Sequence, residues 1–274
     1  MGLLGWIFVA GLAAPALWLG RERQLRRRRI RRLRDVLLQV NATGERFDPG
    51  TLDDIPPPAA RYLRHALAPD ALLARTADLH VVGRLRVGSK GDWVPFEGRE
   101  RISAERGFLW QGRLAALRRL WVEGAEWLVG DDAGAEYAAA GWLPVVNEHD
   151  ESLARSSAGR LLTDLVWLPG ALTPQRGARW ATGDVDKAVV TPAGSATPLS
   201  VDVAEDGRLR EVSLVRRRIA DDGRVSVCPF GLVIEAEERF GDTVVPVRVT
   251  AVWGLGTDDH EECFRAEVDD VRWL

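Results

Sequence analysis

The chain has 274 residues, 46% hydrophobic and 28% charged, a balance that excludes a disordered or low-complexity protein and leaves room for one large domain or two small ones. Its net charge of −3 conceals a split: residues 1–20 carry no charged side chain, residues 21–34 carry nine arginines and one glutamate, and residues 35–274 hold 28 basic against 39 acidic residues, a net of −11. An acidic domain of that kind argues against a grip on phosphate backbones, so no nucleic-acid partner is expected.

Residues 2–20, GLLGWIFVAGLAAPALWLG, form an uncharged run of nineteen. As a helix it would span ~28 Å, close to a hydrocarbon core of ~30 Å. Trp6 and Trp18 suit the two membrane interfaces, and Pro15 is tolerable in a spanning helix. A cleaved signal peptide would carry positive charge ahead of the apolar stretch, whereas here the charge lies behind it. Residues 1–20 therefore read as an uncleaved transmembrane anchor.

Residues 21–40 read as a basic juxtamembrane helix. Its arginines are Arg21, Arg23, Arg26, Arg27, Arg28, Arg29, Arg31, Arg32 and Arg34. Positive residues next to a span stay on the cytoplasmic side, which puts the N-terminus outside and the globular domain in the cytoplasm, with an extracytoplasmic domain as the alternative. At an anionic membrane surface each charge contributes on the order of 1 kcal/mol, so anionic membrane lipids are the expected partner of this run.

Gly44, Pro49, Gly50 and Pro56–Pro58 mark residues 41–58 as a linker, and the β-rich globular domain is expected over 59–274. AARYLRHALA (59–68) spaces Tyr62, Leu63 and Leu67 as a short helix. From residue 77 the period becomes two: Leu79, Val81, Leu85 and Val87 alternate with His80, Arg84 and Arg86. GSKGD turns into a strand over 93–104, ERG into FLWQGRL (108–114), and LWVEG and EWLVGDD read as two more short strands. One helix interrupts, ESLARSSAGRLLTDLVWLP (151–169), with Leu153, Leu161, Leu162 and Leu165 on a stripe and Pro169 as its stop. Strands then resume over 198–215, 219–227, 232–240 and 244–253, and CFRAEVDDVRWL closes the chain. One apolar and one solvated face is the mark of an antiparallel sheet. The expected fold is mainly β (α+β): a large curved antiparallel sheet or half-barrel with a covering helix, preceded by one transmembrane helix.

IPPPAARYLRHAL, WVPFEGRERIS…RGFLWQGRL, GRLLTDLVWLPGALTP…RWATGD and the terminal VDDVRWL together resemble a bacterial family of uncharacterised proteins, often with an N-terminal membrane segment. The resemblance covers about 46–274 and is most specific at Trp167–Pro169 and Trp180. It implies an N-terminal membrane segment and carries no activity and no catalytic residue. The outline is also similar to the half-barrels of lipoprotein carriers, whose place outside the cytoplasm runs against the charge rule.

Chemistry is thinly signalled. His149 in NEHDE and His260 in DDHEE could meet as a metal site, but neither has a ligand spacing above that of ordinary acidic turns. No nucleophile elbow, phosphate loop or dinucleotide motif is present, and Glu97 and Glu100, in a strand with Arg99 and Arg101, read as cross-strand ion pairs. No cofactor, metal or catalytic residue is expected. Cys228 and Cys263 read as isolated thiols, able to pair only outside the cytoplasm. The tryptophans carry more: Trp93, Trp110, Trp167, Trp180 and Trp253 either fill the core or line an apolar groove between sheet and helix. The leading expectation is a membrane-tethered domain that binds a hydrophobic or lipid-like small molecule without covalent chemistry. A membrane-anchored interaction or scaffold protein is the alternative, and a hydrolase or metal-dependent enzyme the third.

Overall fold

Period-two alternation over most of the chain becomes a single antiparallel sheet of thirteen strands in the computed structural model. It describes residues 3–39, 44–88, 91–116, 120–219 and 224–274, with side chains from residue 17 onward except those of Ala116 and Ile219. The first meander runs β1 (Thr76–Arg86), β2 (Trp93–Ser103), β3 (Gly107–Ala116), β4 (Leu120–Val129), β5 (Asp132–Ala139) and β6 (Leu143–Glu148). The second runs β7 (Arg179–Thr182), β8 (Lys187–Thr191), β9 (Leu199–Val203), β10 (Leu209–Ile219), β11 (Val225–Phe240), β12 (Thr243–Trp253) and β13 (Glu261–Trp273). Every neighbour is a hairpin partner except one pair: β1 and β13 zip the meanders together, with Ala77 opposite Trp273 and Leu85 opposite Phe264.

The sheet is open, its edges β6 and β7, and strongly curved. Between the meanders the chain forms α3 (Glu151–Asp164), capped by the Asp150 carboxylate on the Leu153 N–H at 2.7 Å. This helix touches β3, β4 and β5 on one side and β10 on the other, strands that stand far apart in the sheet order, so the sheet wraps around it. A tight turn over 165–167 and Pro169 end it. The inner face carries the main core, including Leu79, Ile102, Phe108, Leu199, Val245 and Trp167. The other short helix, α2 (Pro57–Ala66), starts on the proline run and buries Tyr62, Leu63 and Leu67 against β8, β9 and β12.

The outer face is not all solvated. One continuous helix, α1 (Leu3–Leu38), lays Ile30, Leu33, Val36 and Leu37 on Leu109, Ala125, Trp127 and Val129 of β3 and β4. Its apolar first half includes the expected anchor, whose side chains up to residue 16 lie outside the described residues. Among the described residues no helix is long and apolar enough to cross a membrane.

Three local expectations change. LWVEG and EWLVGDD are one strand, β4, because Gly124 stays in register with Gly112 instead of turning. The stretches 219–227 and 232–240 likewise contribute to one sixteen-residue strand, β11, bent by register shifts between Ile234 and Glu237. The segment read as a linker is packed over its described part: Phe47 and Leu52 are core residues, and the Phe47 N–H donates to Ala71 O at 2.9 Å.

Candidate functional site

Two arginines clamp α3 from opposite sides. Arg160, on the helix, donates to Glu100 of β2 at 2.8 Å, to Glu126 of β4 at 2.8 Å and to Asp164 one turn on at 3.2 Å. Its guanidinium also lies over Phe108 at 4.7 Å and Trp110 at 5.6 Å. Arg216, on β10, donates from Nε to Ser156 O at 3.0 Å and from Nη2 to Ser156 Oγ at 3.1 Å, and stacks over Phe230 and Trp253. Gly159 makes this approach possible, since a Cβ there would stand 3.1 Å from Arg216 Cγ.

The charges in this interface are out of balance. Three carboxylates face two guanidiniums in a buried place. Burial pushes the Glu100 carboxyl up to about 8 against the pull of Arg160, and the Asp164 carboxyl up to about 6 against Arg160 and Arg216. Burial pushes Arg216 down to about 10. Burial would also lower Arg160, but Glu100, Glu126 and Asp164 together outweigh it and hold that guanidinium charged. Tyr137 rises through burial and the neighbouring Glu126.

Beside this clamp lies a cavity of about 750 Å³. Leu161 and Leu162 of α3, Leu165 and Ala171 just beyond it, and Leu214 of β10 give it apolar walls. Its lining also includes Arg75, Arg155, Arg176, Arg216 and Arg217 against a single acid, Glu105. Arg75 pairs with Glu105 and Arg176 with Glu45, while Arg217 has no polar partner among the described residues.

The five tryptophans do not converge. Trp110 and Trp253 lie on the inner face, the first edge-on to Phe96 at 5.5 Å and the second 4.6 Å from Phe230. Trp167 and Trp180 spend their indole N–H groups on Pro246 O and Leu172 O, each at 2.8 Å. Trp93 sits on the outer face between Arg86 and Arg265. None of them lines the cavity beside α3.

The acid-flanked histidines are also apart. His149 contacts Glu136 and Asn147 near β5 and β6, whereas His260 borders the turn between β12 and β13. Among the described residues no three His, Cys, Asp or Glu side chains are grouped to hold a metal. Cys228 and Cys263 are free, half-buried thiols, with burial pushing Cys263 up to about 11. The Glu97 and Glu100 reading divides: Glu97 pairs across strands with Arg113 at 2.6 Å, but Glu100 points inward to α3. The clamp itself was missed. Its signal was Arg160 and Asp164, four residues apart and adjoining the leucine stripe of the helix.

The basic run divides by helical phase. Arg23 stacks on Trp142 at 4.3 Å, Arg26 and Arg29 reach Glu136, and Arg34 donates to Gln111 at 2.8 Å. Arg21, Arg28, Arg31 and Arg32 are exposed, on the side turned away from the sheet.

A family model described as a family of unknown function (DUF6544) matches residues 45–266. Among solved structures, the chain is similar to a LolA superfamily protein from Nitrosomonas europaea, with 10% identity and a TM-score of 0.42 over 79% of this chain and 92% of that one. It is also similar to a DUF1329 family protein from Desulfovibrio piger, with 7% identity and a TM-score of 0.39 over 73% of this chain and 86% of that one. No curated protein matches the sequence.

Proposed function

The chain belongs to the DUF6544 family, which brings no activity with it, and from that premise we propose a membrane-tethered domain that binds a hydrophobic or lipid-like molecule beside α3, without covalent chemistry. The cavity carries this reading. Its volume of about 750 Å³ suits a small ligand, and leucine and alanine side chains give it an apolar wall beside the arginines that also line it.

The tether rests on the uncharged run 2–20 and on what α1 does next. The domain docks along α1 from Arg23 onward, three residues past that run. Trp142, stacked on Arg23, and the exposed Leu143 and Val145 then fall at headgroup depth, where an indole beside a cation is favourable. A straight helix lifts Arg34 about 20 Å above Arg21, beyond a screening length of about 8 Å, so anionic lipids would meet the first arginines of the run most directly. The positive flank supports a cytoplasmic domain on an inner membrane.

Native mass spectrometry of the full chain, extracted in a mild detergent, tests the reading. One amphiphile retained per chain, and lost on Leu162→Trp, is expected. A wild-type chain that carries none and takes up no fluorescent fatty acid would reject it. A C-terminal reporter active only outside the cytoplasm would overturn the topology.

A further inference from the structure

A second cleft lies on the opposite side of the sheet. It has a volume of about 450 Å³ and is bounded by α1 and by the outer face of β2, β3 and β4. Six guanidiniums line it: Arg23, Arg26, Arg27 and Arg34 from the helix, Arg99 from β2 and Arg113 from β3. The lining acids are Glu97 and Glu123, and Glu97 is already engaged by Arg113.

We propose that this cleft binds a multivalent phosphate, presented either by an anionic lipid headgroup or by a free polyphosphate. The gathering of guanidiniums in one cleft of an otherwise acidic domain makes the case. Residues 35–274 have a net charge of −11, and there the exposed arginines commonly find a carboxylate: Arg64 meets Asp53, Arg208 meets Asp206, Arg265 meets Glu262 and Arg272 meets Asp270. In the cleft Arg27 and Arg99, on facing walls, have no polar partner among the described residues. Like charges held on two walls of one cleft repel until an anion lies between them. Guanidinium is also the group whose forked donors match phosphate oxygens.

The floor suits a close ligand. Gly98, Gly112 and Gly124, paired across three adjacent strands, line its bottom with their outward backbone, because these positions face the inner side of the sheet. Several guanidiniums around one space favour an anion with more than one phosphate. The Arg23 end lies next to the apolar run, within reach of a lipid headgroup. The site is independent of the inner cavity, since the sheet separates the two.

The test uses the full chain in neutral detergent. Pyrophosphate is titrated calorimetrically, and in parallel the chain is reconstituted in nanodiscs containing phosphatidylglycerol and its retained lipid is weighed by native mass spectrometry. Arg27→Glu with Arg99→Glu is compared with Arg28→Glu with Arg32→Glu, a pair turned away from the sheet. Saturable pyrophosphate binding, weakened on the order of tenfold or more by the cleft pair and little by the outward pair, supports a free anion. Retained phosphatidylglycerol lost only with the cleft pair, without pyrophosphate binding, supports the headgroup. Binding of neither probe, or equal loss with both pairs, overturns the site.

Discussion

Arg160 of α3 and Glu100 of β2 meet at 2.8 Å across the helix–sheet interface, and the same guanidinium satisfies Glu126 and Asp164. One cation thus holds three carboxylates on the inside of the fold. Replacing it with the similarly long Arg160→Met leaves those acids buried without a counter-charge. A loss on the order of 3 to 5 kcal/mol is expected in denaturant unfolding. Arg160→Lys keeps the charge, but one ammonium cannot fork to three acceptors, so it should fall between the two. An unchanged midpoint for the methionine variant would mean the clamp contributes nothing to the fold.

The pH dependence follows from the same residues. Glu100 sits at about 8 in the fold against 4.5 in the open chain, and Asp164 at about 6 against 3.8. A carboxyl whose folded pKa is raised binds its proton more tightly in the native state. Its ionisation therefore removes stability as pH rises between the two values. Stability should fall from about pH 4 to about pH 8, with Asp164 acting in the lower part of that window and Glu100 reaching its upper end. Glu100→Gln should flatten the stretch from pH 6 to 8. A wild-type curve that rises there while the variant's stays level would reverse the assignment.

The fold and the clamp differ in how legible they are. Alternation such as Val245–Val247–Val249 against Arg248 and Thr250 is a local pattern, and so is the leucine stripe of α3; both are readable without knowing what they face. β5 and β6 were not foreseen because AGAEYAAA has the composition of a helix, and its strand pairing with β4 is imposed by tertiary contacts. The clamp joins residues 60 apart between Glu100 and Arg160, and again between Ser156 and Arg216. No window along the chain contains such a pair. The packed role of Phe47 was hidden for a related reason: proline and glycine around it speak only of turns, while its burial depends on Ala71 and Asp70, which lie beyond α2.

Trp110 lies flat on the sheet because the row beneath it has no side chains. A Cβ on Gly98 would stand 2.6 Å from Trp110 Cζ2 and 2.8 Å from the Gln111 carbonyl oxygen. Gly98→Val should force the indole off its edge-on contact with Phe96 and cost roughly 1 to 3 kcal/mol. The displaced Trp110 indole N–H resonance, together with a lower unfolding midpoint, is the expected pair of readouts. A variant with native stability and an unmoved resonance would show the row to be incidental.

Docking of α1 rests on a small apolar patch. Leu37 and Trp127 are both fully buried, with Leu33 and Leu109 beside them. Leu37→Ala removes packing of the kind that costs about 2 to 5 kcal/mol, and here that cost falls on the helix–sheet contact. The ion pairs of Arg26 and Arg29 with the buried Glu136 remain, but they lie two to three turns earlier on the helix. The stem is rich in arginine, so trypsin reports its state directly. A docked helix resists cleavage at Arg31, Arg32 and Arg34, whereas Leu37→Ala should be cut there many times faster while the sheet keeps its amide protection. Arg28→Ala, on the outward side, should leave the rate at the remaining arginines unchanged. Equal cleavage of the wild type and the leucine variant would mean that α1 does not stay on the sheet, and the arginine-lined cleft would lose one of its walls.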